Sequence, residues 1–194
     1  MQLNESNEGF QALVEQYHEA ARTGDCGQMR KLVQNGLPKD ARNVTGETAL
    51  HIAALEGAEA SVAFLIDEFK VYTNVLNDFG QNPLHFAAQG KNIRIVQKLV
   101  QSGTDVIKQD LFGNIPEKYA DRKSKDKASK FSGEHSMIFS YIHKVRFNIM
   151  NQMHEDAKAF IGSSSIKNGA NSKNGKKPDA VKMKPAGFGM PVCT

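Results

Sequence analysis

The sequence lacks the features that mark secreted, disulfide-stabilised and membrane-spanning proteins. It has only two cysteines in 194 residues, Cys26 and Cys193, and their wide separation does not fit a disulfide framework. No apolar run approaches the ~18 residues of a membrane span. Residues 1–9 have neither a basic start nor an apolar core, so we expect no signal peptide. We therefore expect a cytoplasmic protein in a reducing compartment, with the nucleus or export into a host cell as alternative destinations.

Recognisable catalytic constellations are also missing from the sequence. There is no phosphate-binding glycine-rich loop and no nucleophile elbow. Cys26 has no evident histidine–acid arrangement beside it, and the adjacent acids Asp67 and Glu68 are typical of a solvated helix surface. We predict no enzyme activity, no cofactor and no metal site, and we expect no small-molecule substrate.

Acidic residues are scarce at the C-terminal end. Residues 161–194 contain six lysines and a single acid, Asp179, so their net charge is +5, which leaves −1 for residues 1–160 of a chain whose total is +4. We therefore do not expect the folded body to bind nucleic acid. Glycine, serine, proline and two Lys-Asn-Gly copies dominate this end, and we predict a disordered basic tail over 161–194.

A motif recurs along the chain with a fixed period. The segment Thr45-Gly-Glu-Thr-Ala-Leu-His-Ile-Ala-Ala54 is followed by the close relative Gly80–Ala88 and by the weaker Gly113–Ala120. A histidine recurs at spacings of 33 and 34 residues, at His18, His51 and His85. A period in this range indicates a stack of repeated supersecondary units.

The pattern resembles the ankyrin repeat, in which a turn leads into Thr-Pro-Leu-His-x-Ala-Ala at the start of an inner helix. In that family an outer helix follows and the unit closes with Gly-Ala-Asp-Val-Asn. The likeness continues through Gly24–Gly36 and Ile95–Gly113. It implies an all-α solenoid of helix–turn–helix units joined by short hairpin loops. The expected organisation is a flexible N-terminus (1–9), repeats over 10–122 (10–42, 43–76, 77–109 and 110–122), a charged loop (123–133), a capping helix (134–160) and the tail.

Two places depart from the repeat pattern. Phe69 and Lys70 replace the expected Gly-Ala, and one extra residue precedes Asn74, which predicts a longer helix or an irregular loop. Glu117 and Lys118 take the Leu and His positions of the last unit, which indicates a terminal repeat with a polar outer surface.

An apolar stripe follows the last repeat. Ile138, Ile142, Val145 and Ile149 are spaced by 4, 3 and 4 residues, which predicts an amphipathic helix from about Glu134 to Glu155. We expect this helix to cover the end of the stack; a contact with a partner or a second copy is the alternative.

The recurrent histidines could be mistaken for metal ligands. Equivalent residues of successive repeats lie roughly a helix diameter, about 10 Å, apart, which is too far to share one zinc ion. The resemblance implies instead that they support the turns through hydrogen bonds.

The resemblance also implies that a partner protein binds at the hairpin tips and on the face of the inner helices. The candidate partner-binding residues are Val44, Thr45, Glu47, Leu55, Asp78, Phe79, Gln81, Gln89, Leu111, Phe112 and Asn114. Phe79, Leu111 and Phe112 are apolar where polar residues would serve, so we hypothesise a partner-binding patch there; packing onto neighbouring hairpins is the alternative.

The predicted function is that of a non-catalytic adaptor or scaffold. One alternative is an ankyrin-type effector exported by a host-associated microbe and acting on host proteins, suggested by the short polar tail. Another is a regulator of a transcription factor or of nucleic acid that uses the basic tail.

Overall fold

A computed structural model describes residues 8–90, 92–120 and 133–164. Within these ranges the chain forms helices and no strand, which confirms the predicted all-α fold. The helices are α1 (Glu8–Thr23), α2 (Cys26–Gln34), α3 (Ala49–Glu56), α4 (Glu59–Asp67), α5 (Pro83–Gln89), α6 (Ile93–Gln101), α7 (Pro116–Ala120) and α8 (Gly133–Ser164). The segments predicted as a flexible N-terminus, a charged loop and a disordered tail lie largely outside the described residues.

The helices form two layers in which successive repeats stack. The inner helices α1, α3, α5 and α7 contact one another in chain order, and the outer helices α2, α4 and α6 do the same. Ala53, Ala54, Ala87 and Ala88 are buried between inner helices. Their small side chains let the helices approach closely, so the repeats share one continuous core.

The helix starts follow from the sequence. Pro83 occupies the first position of α5, where its missing N–H costs least. The outer helices α2 and α6 begin after Asp25 and Asn92, whose side chains accept hydrogen bonds from the backbone N–H groups of Gln28 and Arg94, each at 2.9 Å. These caps satisfy donors that a helix N-terminus otherwise leaves unpaired.

The segment predicted to be irregular is a loop. Helix α4 ends at Asp67, and the N–H groups of Phe69 and Val71 bond back to the carbonyls of Phe64 and Leu65. Lys70 has a φ of 50°, the only positive value at a non-glycine residue in the described ranges. Lys70 therefore takes the left-handed position that Gly36 and Gly103 occupy in the equivalent loops.

The first part of α8 packs against the final repeat, where His143 and Arg146 contact Glu117. Ile138 and Ile142 are fully buried, whereas Val145 is half-buried and Ile149 is 38 % exposed. The helix α8 runs from Gly133 to Ser164, a length of 32 residues. It therefore begins close to the predicted position and continues further than predicted. No helix in the described part of the chain combines the length and hydropathy of a membrane span.

The prediction of a polar outer surface on the last repeat is wrong at Glu117. This side chain is buried, and its carboxylate lies 2.6 Å from Nε of Arg146 and 2.8 Å from Nδ1 of His143. Both partners belong to α8, and Arg146 supplies the opposite charge. Lys118 is exposed, as the polar-surface prediction requires.

The chain divides into two compact units, residues 1–153 and 154–194. The second unit is described only over 154–164, the end of α8. Its described side chains are exposed, and Lys158 forms an ion pair with Glu155 at 2.9 Å.

Candidate protein-interaction surface

Each hairpin turn is organised by one side-chain oxygen. In every case Oδ1 of an Asn or Asp accepts hydrogen bonds from the backbone N–H groups two and four residues ahead. The three sets are Asn43 with Thr45 (3.0 Å) and Glu47 (2.9 Å), Asn77 with Phe79 (3.0 Å) and Gln81 (2.9 Å), and Asp110 with Phe112 (2.9 Å) and Asn114 (2.8 Å). The tips are therefore fixed loops.

Neighbouring hairpins are bonded to each other through the backbone. The N–H of Asp78 donates to the carbonyl of Thr45 at 3.1 Å, and the N–H of Leu111 donates to the carbonyl of Phe79 at 2.9 Å. The three tips consequently form a continuous edge, in which the side chains of adjacent tips are presented side by side.

The recurrent histidines connect each inner helix to the next hairpin. The backbone N–H groups of Thr48 and Asn82 donate to Nδ1 of His51 and His85, both at 3.1 Å, so the proton of each ring lies on Nε2. Nε2 of His51 then donates to the carbonyl of Gln81 at 3.1 Å, and Nε2 of His85 to that of Asn114 at 3.2 Å. Nε2 of His18 lies 3.2 Å from the carbonyl of Ala41.

Burial keeps these imidazoles neutral. It lowers the pKa of His51 to about 4, against the backbone hydrogen bond to Gln81, which raises the pKa. Burial likewise lowers the pKa of His18 and of His85. All three rings are occupied by structural hydrogen bonds.

The eleven predicted partner-binding residues fall into six exposed side chains, one half-buried apolar side chain and four half-buried polar side chains. Exposed side chains are found at six positions: Val44 (84 %), Asp78, Phe79 (44 %), Gln89, Leu111 (73 %) and Phe112 (71 %). Leu55 is half-buried near the end of α3. The remaining four, Thr45, Glu47, Gln81 and Asn114, are half-buried and use their side chains within or between the hairpins.

These four polar side chains hold the loops. Glu47 accepts from Nδ2 of Asn43 at 2.8 Å, and the hydroxyl of Thr45 donates to Oδ1 of the same residue at 2.8 Å. Nδ2 of Asn114 lies 3.3 Å from Oδ2 of Asp110. Gln81 accepts from Nδ2 of Asn77 at 3.2 Å.

One polar network was not anticipated from the sequence. The hydroxyl of Tyr119 donates to Oδ2 of Asp110 at 2.5 Å and accepts from Nε2 of Gln81 at 2.7 Å. Burial raises the pKa of Tyr119, and the hydrogen bond to Asp110 raises it further. Burial pushes the pKa of Asp110 upward, but hydrogen bonds led by that from Tyr119 outweigh it and lower the value. Tyr119 occupies the repeat position of Phe86. The replacement of phenylalanine by tyrosine is therefore the sequence feature from which an added hydrogen bond could have been predicted.

The inner face contains a groove that the sequence did not indicate. A cavity of about 800 Å³ lies between α1 and the first hairpin and includes Glu15, Glu19, Arg22, Val44 and Ile52 in its lining. Arg22 forms ion pairs with Glu19 at 2.9 Å and with Glu56 at 3.4 Å. The groove therefore has a polar, partly acidic wall beside an exposed apolar tip.

Cys26 is not arranged as a nucleophile. Its Sγ lies 3.7 Å from the carbonyl of Ala60, and burial is the main cause that raises its pKa. A thiol with a raised pKa remains protonated at neutral pH, and the thiolate is the reactive form.

The fold and surface define a repeat protein, a stack of helix–turn–helix units with an edge of fixed hairpin tips. The sequence model of the ankyrin-repeat family matches residues 17–110, in three copies. Residues 17–110 of this chain are ankyrin repeats, as the sequence resemblance predicted. Repeats of this family indicate a protein-interaction module.

The chain matches only a small part of each of three longer relatives. The chain is 34 % identical over 119 residues to the inactive serine/threonine-protein kinase TEX14 of Mus musculus, covering 61 % of this chain and 8 % of that protein. It is 39 % identical over 67 residues to the tyrosine-protein kinase Shark of Drosophila melanogaster, covering 34 % of this chain and 7 % of that protein. It is 35 % identical over 86 residues to the mitochondrial liver isoform of glutaminase of Mus musculus, covering 44 % of this chain and 14 % of that protein.

Proposed function

We propose that this protein is a non-catalytic adaptor or scaffold that binds a partner protein through its hairpin tips and the adjoining inner-helix face. The central contact is an apolar surface formed by Phe79, Leu111 and Phe112, here called the tip patch. The observation that supports this proposal is the exposure of these three side chains, which is 44 %, 73 % and 71 %. They lie on two hairpins that a backbone hydrogen bond joins.

The tip patch is organised before any partner arrives. The turns are fixed by Asn77 and Asp110, and the backbone bond between Leu111 and Phe79 sets their spacing. Binding to fixed loops avoids the entropy cost of ordering them. Full burial of one Phe or Leu side chain contributes about 1.5–3 kcal/mol, so three such side chains supply a useful apolar centre for an interface.

Polar groups surround this apolar centre in the way that interfaces are built. Asp78 is exposed on the hairpin of Phe79, Gln89 is exposed at the C-terminal end of α5, and Glu47, Gln81 and Asn114 hold the loops from within. Val44 extends the line of apolar tips toward the groove beside α1. An apolar core with a polar rim is the usual anatomy of a protein interface.

The test is affinity capture by the full chain, from the cells that express it, followed by measurement of direct binding to the purified partner. The double variant F79A/F112A should weaken binding by at least about ten-fold, which corresponds to 1.4 kcal/mol. Its thermal midpoint should fall only modestly, because Phe112 is 71 % exposed and Phe79 is 44 % exposed.

The matched control is F147A, which removes a phenyl ring that is 58 % exposed on α8 and lies outside the tip patch. Its affinity for the partner should equal that of the parent protein. Undiminished binding by F79A/F112A, or an equal loss in F147A, would reject the tip patch as the interface.

A cytoplasmic location is part of this proposal. It is supported by the free thiol of Cys26. Imaging of the protein with a small epitope tag checks it: accumulation in a secretory or extracellular compartment would contradict the proposal.

A further inference from the structure

A second cavity lies between equivalent loops of the first two repeats. Its lining shares no residue with the tip patch. Its volume is about 420 Å³, and its lining includes Lys39, Arg42, Lys70, Val71, Tyr72 and Val75. We call it the basic pocket. Lys39 and Arg42 follow α2, and the other four residues belong to the irregular loop after α4.

The basic pocket carries uncompensated positive charge. Three cations face a single acid, Asp40, along its lining. In the described ranges no carboxylate forms an ion pair with any of these three cations, whereas Arg22, Arg30, Arg94, Lys98 and Arg146 are each paired with an acid. The lining therefore has a net charge of +2. Residues 1–160 as a whole have a net charge of −1, so the pocket concentrates positive charge.

Two of the cations are held in place by neutral groups. Nζ of Lys39 donates to the carbonyl of Phe69 at 2.7 Å, and Nη1 of Arg42 donates to the carbonyl of Leu76 at 2.9 Å. Both bonds cross from the first repeat to the second and fix the side chains without cancelling their charge. The ammonium group has three donors and the guanidinium group has five, so donors remain for a ligand.

The third cation is held on a strained backbone. Lys70 has a φ of 50°, a conformation that costs an L-residue about 1–2 kcal/mol. Strained positions of this kind cluster at ligand sites. Equivalent loops have glycine at this position, Gly36 and Gly103, both with positive φ. Lys70 therefore replaces a glycine of the repeat, and it lines the same cavity as Val71 and Tyr72.

We propose that the basic pocket binds a phosphate monoester dianion. Such a group carries a charge of about −1.5 to −2 at pH 7 and presents three acceptor oxygens, which matches a net charge of +2 and the free donors of three cations. A carboxylate would leave half of the charge unpaired. Tyr72, which is 71 % exposed, and the half-buried Val71 and Val75 provide apolar contact for the body of the ligand. The source is a phosphorylated side chain of a bound protein or a free phosphate ester.

The test is an NMR titration of the ¹⁵N-labelled full chain with three separate probes. These are a short phosphotyrosine peptide, a short phosphoserine peptide and inorganic phosphate, and the unphosphorylated peptides serve as blanks. We expect amide shifts concentrated in 39–42 and 70–75 for at least one phosphate probe and none for the blanks. The probe that binds most tightly identifies the source.

Variants separate the pocket from general charge attraction. K70G removes a cation and relieves the positive φ, so folding is preserved, and it should weaken binding by at least about five-fold, as should K39Q. The control K31Q removes an exposed lysine of α2 outside the pocket and should leave the affinity unchanged. The proposal is overturned if no phosphate probe shifts these amides, if K70G and K39Q both bind as the parent protein does, or if K31Q loses as much affinity.

Discussion

At the scale of single residues, the hairpins depend on a glycine in the left-handed backbone conformation. Gly46 and Gly113 occupy equivalent turn positions with φ values of 74° and 73°. A Cβ added at Gly46 would lie 2.9 Å from the backbone nitrogen of Asp78 in the next hairpin, whereas a Cβ at Gly113 would meet nothing within 4 Å. The two glycines therefore have the same conformational need and different packing.

Substitution of each glycine by alanine measures these two effects separately. We expect G113A to lower the free energy of unfolding by about 1 kcal/mol, from the left-handed conformation alone. G46A should cost about 1–3 kcal/mol more, because the added methyl group also forces the first two hairpins apart. Urea denaturation of both variants checks this order, and equal losses would contradict the close contact at Gly46.

At the scale of elements, α8 packs against the final repeat along only part of its length. Ile138 and Ile142 are fully buried on the final repeat, and the same stripe becomes exposed by Ile149. The buried carboxylate of Glu117 is paired with Arg146 and lies 2.8 Å from Nδ1 of His143, both on the same helix. Since an unpaired buried charge is costly, this packing explains how an acid occupies an apolar position of the repeat.

Two isoleucine truncations test where the cap ends. We expect I142A to lower the free energy of unfolding by about 2–4 kcal/mol through loss of buried apolar contacts. I149A removes the same group from a position that is 38 % exposed and should cost less than about 1.5 kcal/mol. Thermal or urea unfolding provides the comparison. If the two variants lose equal stability, the helix continues to cap beyond Val145 or does not cap at all.

At the scale of the whole molecule, the stack is held by bonds that are lost on acidification. Histidines in three successive repeats connect an inner helix to a neighbouring hairpin, and burial lowers the pKa of all three. The ordinary pKa of a histidine side chain is 6.5, and the pKa of His51 in the folded protein is about 4. Between these values the unfolded chain binds more protons than the folded protein, so stability decreases as the pH falls.

We expect His51 alone to lower the free energy of unfolding by about 1 kcal/mol between pH 7 and pH 5.5, with His18 and His85 acting in the same direction. Urea denaturation at the two pH values measures the total. The variant H51Q should be less stable than the parent protein at pH 7 but should show a smaller decrease on acidification. An unchanged pH dependence in H51Q would mean that His51 does not contribute.

Much of this molecule could be predicted from local and periodic information. Segments such as Thr45–Ala54 and Gly80–Ala88 specify turn, helix start and inner helix within a few residues, so their recurrence predicted the repeats and the helix starts. The exposure of Val44, Phe79, Leu111 and Phe112 also agrees with the positions that the register assigns to the tips. Their role in partner binding remains a prediction.

The repeat fold and its register follow from the sequence, because each unit contacts mainly its own residues and its neighbours, and the same pattern returns in each. The tertiary structure alone decided the burial of Glu117 against Arg146, the bond from Gln81 to Tyr119, and the gathering of Lys39, Arg42 and Lys70 around one cavity. These contacts join residues 28 to 38 positions apart, through side chains that the repeat pattern leaves free to vary. Periodicity specifies which positions face the core, but only the packed chain shows which charges and hydroxyl groups meet.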